Sequence, residues 1–241
     1  MTGTTDTTAI IRATPGLSGL DEETVGRLAL LMEFLIEQNR TTNLTAIRDP
    51  DSIALLHFAD SLAPLGLVPG MRDARHAADL GSGAGFPALP LAIAMPGCRW
   101  HAVESIAKKS RFTEEAARRI PVPNLTAVCA RAETYAHGAA RESLDIVTSR
   151  AVGPLASLCE LGVPLLREGG ALLLYKTAAS REEADAARNA IALLGAGLAA
   201  EHVYRLPGDQ QDRILFEIRR TGPVPDKYPR SGAIPFKRPL A

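Results

Sequence analysis

The sequence predicts an α/β domain built on a mostly parallel seven-stranded sheet with an antiparallel final strand, preceded by N-terminal helices. Three observations carry that prediction. From about residue 74 onward, short apolar runs alternate with helix-length stretches, which is the rhythm of βαβ units. A glycine-rich segment, Ala78-Asp79-Leu80-Gly81-Ser82-Gly83-Ala84-Gly85-Phe86-Pro87, falls where the first such run ends and a helix is due to begin. The connection from Tyr204 to Arg213 is too short for a crossover helix, so the last two strands pair antiparallel.

Element by element, residues 1–20 come first, and their Thr-rich, patternless composition is that of a disordered or frayed terminus. From Asp21 to Gln38, Val25, Leu28, Met32, Leu35 and Ile36 recur at helical spacing behind an acidic first turn. A second helix starts at Asp49-Pro50, a cap followed by proline at the first helical position, and carries Ile53, Leu56, His57 and Asp60 on one stripe before Pro64. Strands are expected near His76–Leu80, Arg99–Val103, Leu125–Cys129, Asp145–Thr148, Ala171–Tyr175, Glu201–Tyr204 and Arg213–Ile218. Helices fill the gaps near Ala88–Met95, Ile106–Arg119, Pro154–Leu166 and Ser180–Gly195, with Gly169-Gly170 turning the chain before the fifth strand. The tail from Thr221 holds five of the 17 prolines, which excludes a helix or central strand and predicts an extended path over the surface. The organisation is thus a helical segment at 21–73 packed on a main domain at 74–220, with a basic, Pro-rich tail at 221–241.

At 241 residues and 46% hydrophobic composition, the chain buries a core without disulfide or metal staples. The 27 basic and 27 acidic residues cancel, which argues against a nucleic-acid coat or histone-like protein. The neutrality is an average: residues 21–60 carry eight acids against three bases, and residues 219–241 carry six bases against Asp226. An RNA partner would therefore meet one face. Cys98, Cys129 and Cys159 are odd in number and widely spaced, reading as reduced cytosolic thiols, and no CxxC or HxxxH spacing suggests a metal site. No run reaches the roughly 20 apolar residues of a membrane span, so a soluble cytoplasmic protein is expected.

The glycine turn is the strongest chemical signal. Gly81, Gly83 and Gly85 let the backbone approach a ligand closely, with helix N-terminal N–H groups nearby. The spacing is GxGxG rather than the GxGxxG of dinucleotide binders, and Pro87 follows at once, which favours a nucleoside without phosphates such as S-adenosylmethionine over a flexible loop with chance glycines. Asp79, just before the turn, can anchor a polar group of it. Glu104 closes the second strand where such folds offer a carboxylate to ribose hydroxyls, although it also reads as the neighbour of a helix cap. Ala132 and Glu133, after the third strand, stand where an adenine edge would be met; Glu133 is otherwise a solvated acid. Lys108 and Arg111 lie on a basic helix near the ligand end, whereas Arg118 and Arg119 read as a solvated face. Arg150 ends the fourth strand and Lys176 the fifth, placing each to bind cofactor or substrate phosphate, or simply to carry surface charge. His57 and Asp60 invite a general-base reading against that of a hydrogen-bonded pair at the helix–domain junction, with no nucleophile nearby. There is no G-x-S-x-G, P-loop or paired cysteine, so group transfer by positioning remains.

Taken together, the motifs resemble the RsmG, or GidB, family of bacterial small-subunit ribosomal RNA methyltransferases. The matching stretches are Asn39 to Pro50, His57 to Leu62, Asp79 to Pro90, Val103-Glu104-Ser105, Lys108 to Phe112, Arg131-Ala132-Glu133, Thr148 to Val152, and Lys227-Tyr228-Pro229-Arg230 with Ile234-Pro235 and Lys237-Arg238. Ala88 stands where the family commonly has glycine. The resemblance implies a Rossmann-like S-adenosylmethionine-dependent methyltransferase acting on N7 of a guanine in 16S rRNA, as free RNA or within the small-subunit particle, with no obligate protein partner. It gives cofactor contacts to Gly81, Phe86, Glu104, Ser105, Ile106, Ala132, Glu133 and Arg150. The basic residues Lys108, Arg111, Lys176, Lys227, Arg230, Lys237 and Arg238 are then expected to hold rRNA. Two other classes share some of these features: a nicotinamide or flavin oxidoreductase, against which the glycine spacing and antiparallel final pair speak, and a non-catalytic ribosome-assembly protein that binds RNA.

Overall fold

The structure is a computed structural model and describes residues 6–240. Seven strands form, β1 (His76–Leu80), β2 (Arg99–Glu104), β3 (Leu125–Cys129), β4 (Leu144–Arg150), β5 (Leu166–Thr177), β6 (Ala196–Tyr204) and β7 (Arg213–Arg220). They hydrogen-bond in the order β3-β2-β1-β4-β5-β7-β6. The first five pair in parallel, and β7 runs antiparallel between β5 and β6. Chain order reverses between β1 and β4, which makes their carboxyl ends the crevice where ligands collect in open α/β sheets.

The helices are α1 (Thr7–Ala13), α2 (Glu22–Thr42), α3 (Pro50–Ser52), α4 (Asp60–Leu62), α5 (Pro64–Leu67), α6 (Ala88–Ala94), α7 (Ala107–Arg119), α8 (Ala132–Ala136), α9 (Leu155–Gly162), α10 (Arg181–Ala186), α11 (Arg188–Leu193) and α12 (Ile234–Lys237). Asp21 caps α2 by accepting the Thr24 N–H at 2.8 Å, and Asp49 caps α3 by accepting that of Ser52. Between α3 and α4, Ile53–Ala59 is wound as a π-helix, a form that recurs at functional sites. The period-2 alternation of β5 divides the interior. Leu173 and Tyr175 face a core shared with Phe58, Trp100 and the N-terminal helices, while Leu172 and Leu174 face one built with α9, α11 and Phe216.

Several expectations are corrected. Residues 1–5 lie outside the described residues, but Thr7–Ala13 is helical and Ile11 and Leu17 are 0% exposed, so two isolated apolar anchors order a segment that composition marked as frayed. Helix α2 continues past Gln38 to Thr42, ending at Asn43 in the left-handed conformation. Gly169-Gly170 lies inside β5, where the register against β4 shifts between Leu144 and Ile146. A Cβ at Gly170 would stand 2.8 Å from the Leu144 carbonyl, so the glycine serves a close strand approach rather than a helix–strand turn. The helix expected up to Leu166 ends at Gly162, and the one expected over Ser180–Gly195 breaks at Ala187.

The tail is not uniformly extended. Tyr228 and Pro229 present carbonyls to Arg141 and His137, and α12 packs on α9, where Ser157 Oγ donates to the Pro235 carbonyl at 2.7 Å. Its main anchor is Arg230. The backbone N–H and Nε of Arg230 donate to Glu160 Oε1 and its Nη2 donates to Oε2, at 2.6–2.8 Å. Glu160 is 0% exposed. Arg230, expected to hold rRNA, is thereby committed to an internal partner. Arg230→Ala strands a buried carboxylate, and urea unfolding is expected to show a loss of roughly 3–5 kcal/mol, with Arg230→Lys recovering only part because an ammonium lacks the guanidinium fork.

Candidate functional site

The site is built at the glycine turn. Gly81, Gly83 and Gly85 all have positive φ, at 72°, 58° and 82°. A Cβ at Gly81 would sit 2.5 Å from Val152 Cγ2, and one at Gly85 would collide with the Leu89 side chain. A Cβ at Gly83 would meet nothing within 4 Å. Two of the glycines are therefore required by packing, and the middle one opens a space.

Glu104 joins this turn to the next. Its Oε2 accepts the Gly83 N–H at 3.0 Å and its Oε1 accepts the Ile106 N–H at 2.7 Å. Ile106 is the N-cap residue of α7, so the helix-cap and ligand readings of Glu104 merge: the carboxylate braces both loops and keeps further lone pairs for a ligand. Beneath the turn, Asp79 is fully buried; Thr148 Oγ1 donates to its Oδ1 at 2.9 Å, while its Oδ2 and the buried Ser82 Oγ have no partner. Burial raises Asp79 to about 7, opposed by the Thr148 hydrogen bond and the Arg150 charge.

Beside the turn lies a cavity of about 100 Å³ lined by Gly81, Ser105, Ala132, Glu133, Val152 and Phe236. Ile106, next to Ser105, is exposed, as are Lys108 and Arg111 on α7. Sequence reasoning thus brings Gly81, Gly83, Gly85, Glu104, Ser105, Ile106, Ala132 and Glu133 to one place. Phe86 differs, because its ring is buried and stacks on His57 at 4.7 Å.

Arg150, Lys176, His57 and Asp60 form a second cluster. Arg150 Nη1 donates to Asp60 Oδ2 at 2.9 Å and to the Leu56 carbonyl at 3.1 Å. Asp60 Oδ1 accepts from Tyr204 Oη at 2.8 Å and faces Arg213 Nη1 at 3.4 Å. The expected His57–Asp60 pair is therefore made through Arg150. Arg150 Nη2, a donor only, stands 3.4 Å from His57 Nδ1, so Nε2 carries the ring proton and donates to Thr45 Oγ1 at 2.9 Å. Burial, then the Arg150 charge, lowers His57 to about 4, and it stays neutral near pH 7. Lys176 Nζ donates to the Gly153 carbonyl and to Glu183, at 2.7 and 2.8 Å. These groups line a cleft of about 440 Å³ shared by the helical segment and the strand ends. Tyr204 and Arg213 were not found in the sequence. The available signal was Asp60 itself, a carboxylate on an apolar helix stripe that requires a distant donor.

The family model described as GidB, rRNA small subunit methyltransferase G, matches residues 25–209. The chain belongs to this family. It is 37% identical over 222 residues to the ribosomal RNA small subunit methyltransferase G of Desulfitobacterium hafniense (strain Y51), covering 92% of this chain and 91% of that protein. To the protein of the same name from Staphylococcus aureus (strain bovine RF122 / ET3-1) it is 38% identical over 207 residues, 86% of each. Among solved structures, the fibrillarin pre-rRNA processing protein of Methanococcus jannaschii aligns with a TM-score of 0.51 and 16% identity over 64% of this chain and 70% of that one. TYW2 of M. jannaschii, solved in complex with AdoMet, aligns with a TM-score of 0.51 and 13% identity over 62% and 73%. These two share the Rossmann-like methyltransferase fold with the chain. Membership of the GidB family sets the oxidoreductase alternative aside.

The two perturbed groups act on stability with opposite signs. His57 has a folded pKa near 4, below its ordinary 6.5, so its contribution is complete above 6.5 and is lost as pH falls toward 4. Asp79 has a folded pKa near 7, above its ordinary 3.8, so its contribution is complete below 3.8 and is lost as pH rises through 7. The slopes largely cancel between pH 4.5 and 6.5. In urea unfolding across that window, His57→Gln is expected to lose stability with rising pH relative to wild type and Asp79→Asn to gain it, each by roughly 2–4 kcal/mol. A pH-independent difference from wild type would show that neither group is perturbed by folding.

Proposed function

We propose that the chain transfers a methyl group from S-adenosylmethionine to N7 of a guanine in 16S rRNA, as free RNA or within the small-subunit particle, in the cytoplasm. The observation that carries this reading is the open space at Gly83 beside Glu104, in a chain of the GidB family. The residues present fit the cofactor: unpaired Ser82 Oγ and Asp79 Oδ2 lie under the cradle, and Glu104 retains acceptor capacity for vicinal hydroxyls. Glu133 offers an acceptor to an adenine amino group. Phe86, with its ring buried under His57, acts by shaping the turn. When bound, S-adenosylmethionine would supply an electrophilic sulfonium methyl, the guanine N7 lone pair forming the new N–C bond as the S–C bond breaks and S-adenosylhomocysteine leaves.

That nucleophile is unprotonated at neutral pH and needs no base. The site is consistent with this, since both His57 ring nitrogens are engaged and Asp79 is buried. What the chain contributes is position and exclusion of water. N7 lies on the major-groove edge, which is unreachable in A-form RNA, so the target must sit in a loop or distorted region. The 440 Å³ cleft, with Arg150, Lys176 and Arg213 in its wall, is the place for the target nucleotide. The exposed Lys108, Arg111, Lys227, Lys237 and Arg238 suit the flanking phosphates. No helix among the described residues is long and apolar enough to cross a membrane.

Mapping N7-methylguanine in small-subunit rRNA from cells with and without the protein tests the reaction. A single guanine is expected to lose its methyl group, and full methylation without the protein would leave the non-catalytic assembly reading. Neutralising Lys227, Lys237 and Arg238 together is expected to lower the slope of log affinity against log salt by about 2, at roughly 0.7 per phosphate contact on single-stranded RNA. Gly83→Ala fills the cradle at a conformational cost of about 1–2 kcal/mol, and calorimetric titration is expected to show at least tenfold weaker S-adenosylhomocysteine binding by a folded protein. Gly85→Ala, whose methyl group runs into Leu89, is expected to lose stability first.

A further inference from the structure

We propose that Phe236, carried by the C-terminal tail, forms one wall of the adenine site, so that the end of the chain and not the βα loops alone closes in the nucleoside. The inference rests on the S-adenosylmethionine reading above and adds a residue to it from outside the sheet's own loops.

Large apolar side chains that stay exposed in a cluster mark a surface that a ligand or partner covers. Ile106 is 51% exposed, Val152 36% and Phe236 36%, and all three lie at or next to the 100 Å³ cavity. Val152 and Phe236 are packed in series with the glycine turn. Val152 occupies the volume a Cβ at Gly81 would need, and a Cβ at Gly153 would stand 2.7 Å from Phe236 Cε1. Glycine at both positions lets the β4–α9 loop press against the end of β1 and the tail ring press against that loop.

The tail holds this ring in place without burying it. Immediately before Phe236, the Pro235 carbonyl accepts from the buried Ser157 Oγ at 2.7 Å. Two residues after it, the Arg238 carbonyl accepts from Arg230 Nη2 at 2.7 Å, and Arg230 is itself bound to Glu160. An aromatic ring is thus fixed from both sides beside a cavity whose other lining includes the Glu133 carboxylate. Apolar faces with an acceptor at the edge suit a flat heteroaromatic ring bearing an amino donor. The cavity is well below the roughly 300–1,000 Å³ of sites that enclose a whole drug-sized ligand, so it takes one ring system while the rest of the cofactor lies along Gly83.

Calorimetric titration of the full chain with S-adenosylhomocysteine tests the proposal. Phe236→Ala is expected to weaken binding about tenfold or more, the scale of a lost aromatic–base stack, with little change in melting temperature. Phe236→Trp is expected to keep wild-type affinity, and its emission, read against that of the buried Trp100, to be quenched as S-adenosylhomocysteine is added. Unchanged affinity in Phe236→Ala together with no quenching in Phe236→Trp would reduce the ring to a plug on α9. Tighter binding by Phe236→Ala would make it an obstruction and overturn the proposal equally. If wild type itself fails to bind S-adenosylhomocysteine, the cofactor reading falls and this inference falls with it; binding by wild type with unaffected variants overturns this inference alone.

Discussion

Asp60 is the constraint on which the rest of the site depends. This carboxylate, buried at the junction of the π-helix and α4, takes donors from three strands: Arg150 at the end of β4, Tyr204 at the end of β6 and Arg213 at the start of β7. Because β7 is antiparallel, all three donors meet at one edge of the sheet. Burying the ions has a desolvation cost that their attraction need not recover, so the cluster is better evidence of specified geometry than of net stability. Its geometric consequence is direct. Arg150 also holds the Leu56 carbonyl and faces His57, and His57 stacks on Phe86 in the glycine turn. The helical segment cannot shift against the sheet without disturbing that turn.

Glu160 plays the corresponding part on the other side. It is buried in α9, it binds Arg230, and through Arg230 and Ser157 the last described residues of the chain are drawn to the cavity beside Gly81. The candidate site therefore lies between two segments outside the main sheet unit, each fastened to it by one buried carboxylate. That arrangement explains why Gly153, against the tail's Phe236, must lack a side chain; Gly81 is confined by Val152 of the β4–α9 loop, and Gly83 remains open.

The sheet was legible because its signals are local. Apolar runs, the glycine turn and the short Tyr204–Arg213 connection act within a few residues, and each strand formed where they put it, apart from its ends. The misses are long-range. Ile11 and Leu17 are isolated apolar positions whose importance depends on what covers them. Gly169-Gly170 reads as a turn until Leu144 is known to lie against it. The cationic residues were the least legible: Arg150 meets Asp60 across 90 positions and Arg230 meets Glu160 across 70, and sequence spacing carries no trace of either pair. Phe236 was invisible for a similar reason, being one aromatic residue in a Pro-rich tail.

These internal pairs also change what the opposed charges of the chain mean. Of the tail's bases, Arg219 binds Glu217, Arg220 binds Glu142 and Arg230 binds Glu160, which leaves Lys227, Lys237 and Arg238 exposed. Of the acids near the start, Asp21 and Asp49 cap helices and Asp60 neutralises Arg150 and Arg213. Part of the apparent dipole along the sequence is therefore structural, and the charge left for RNA is smaller and more localised than the composition suggests. That suits a reaction whose nucleophile needs no deprotonation. The buried titratable groups do not have to exchange protons during turnover, so His57, held neutral near pH 7, and Asp79, raised to about 7 by burial, can be used to set the geometry in which a methyl group and a lone pair meet.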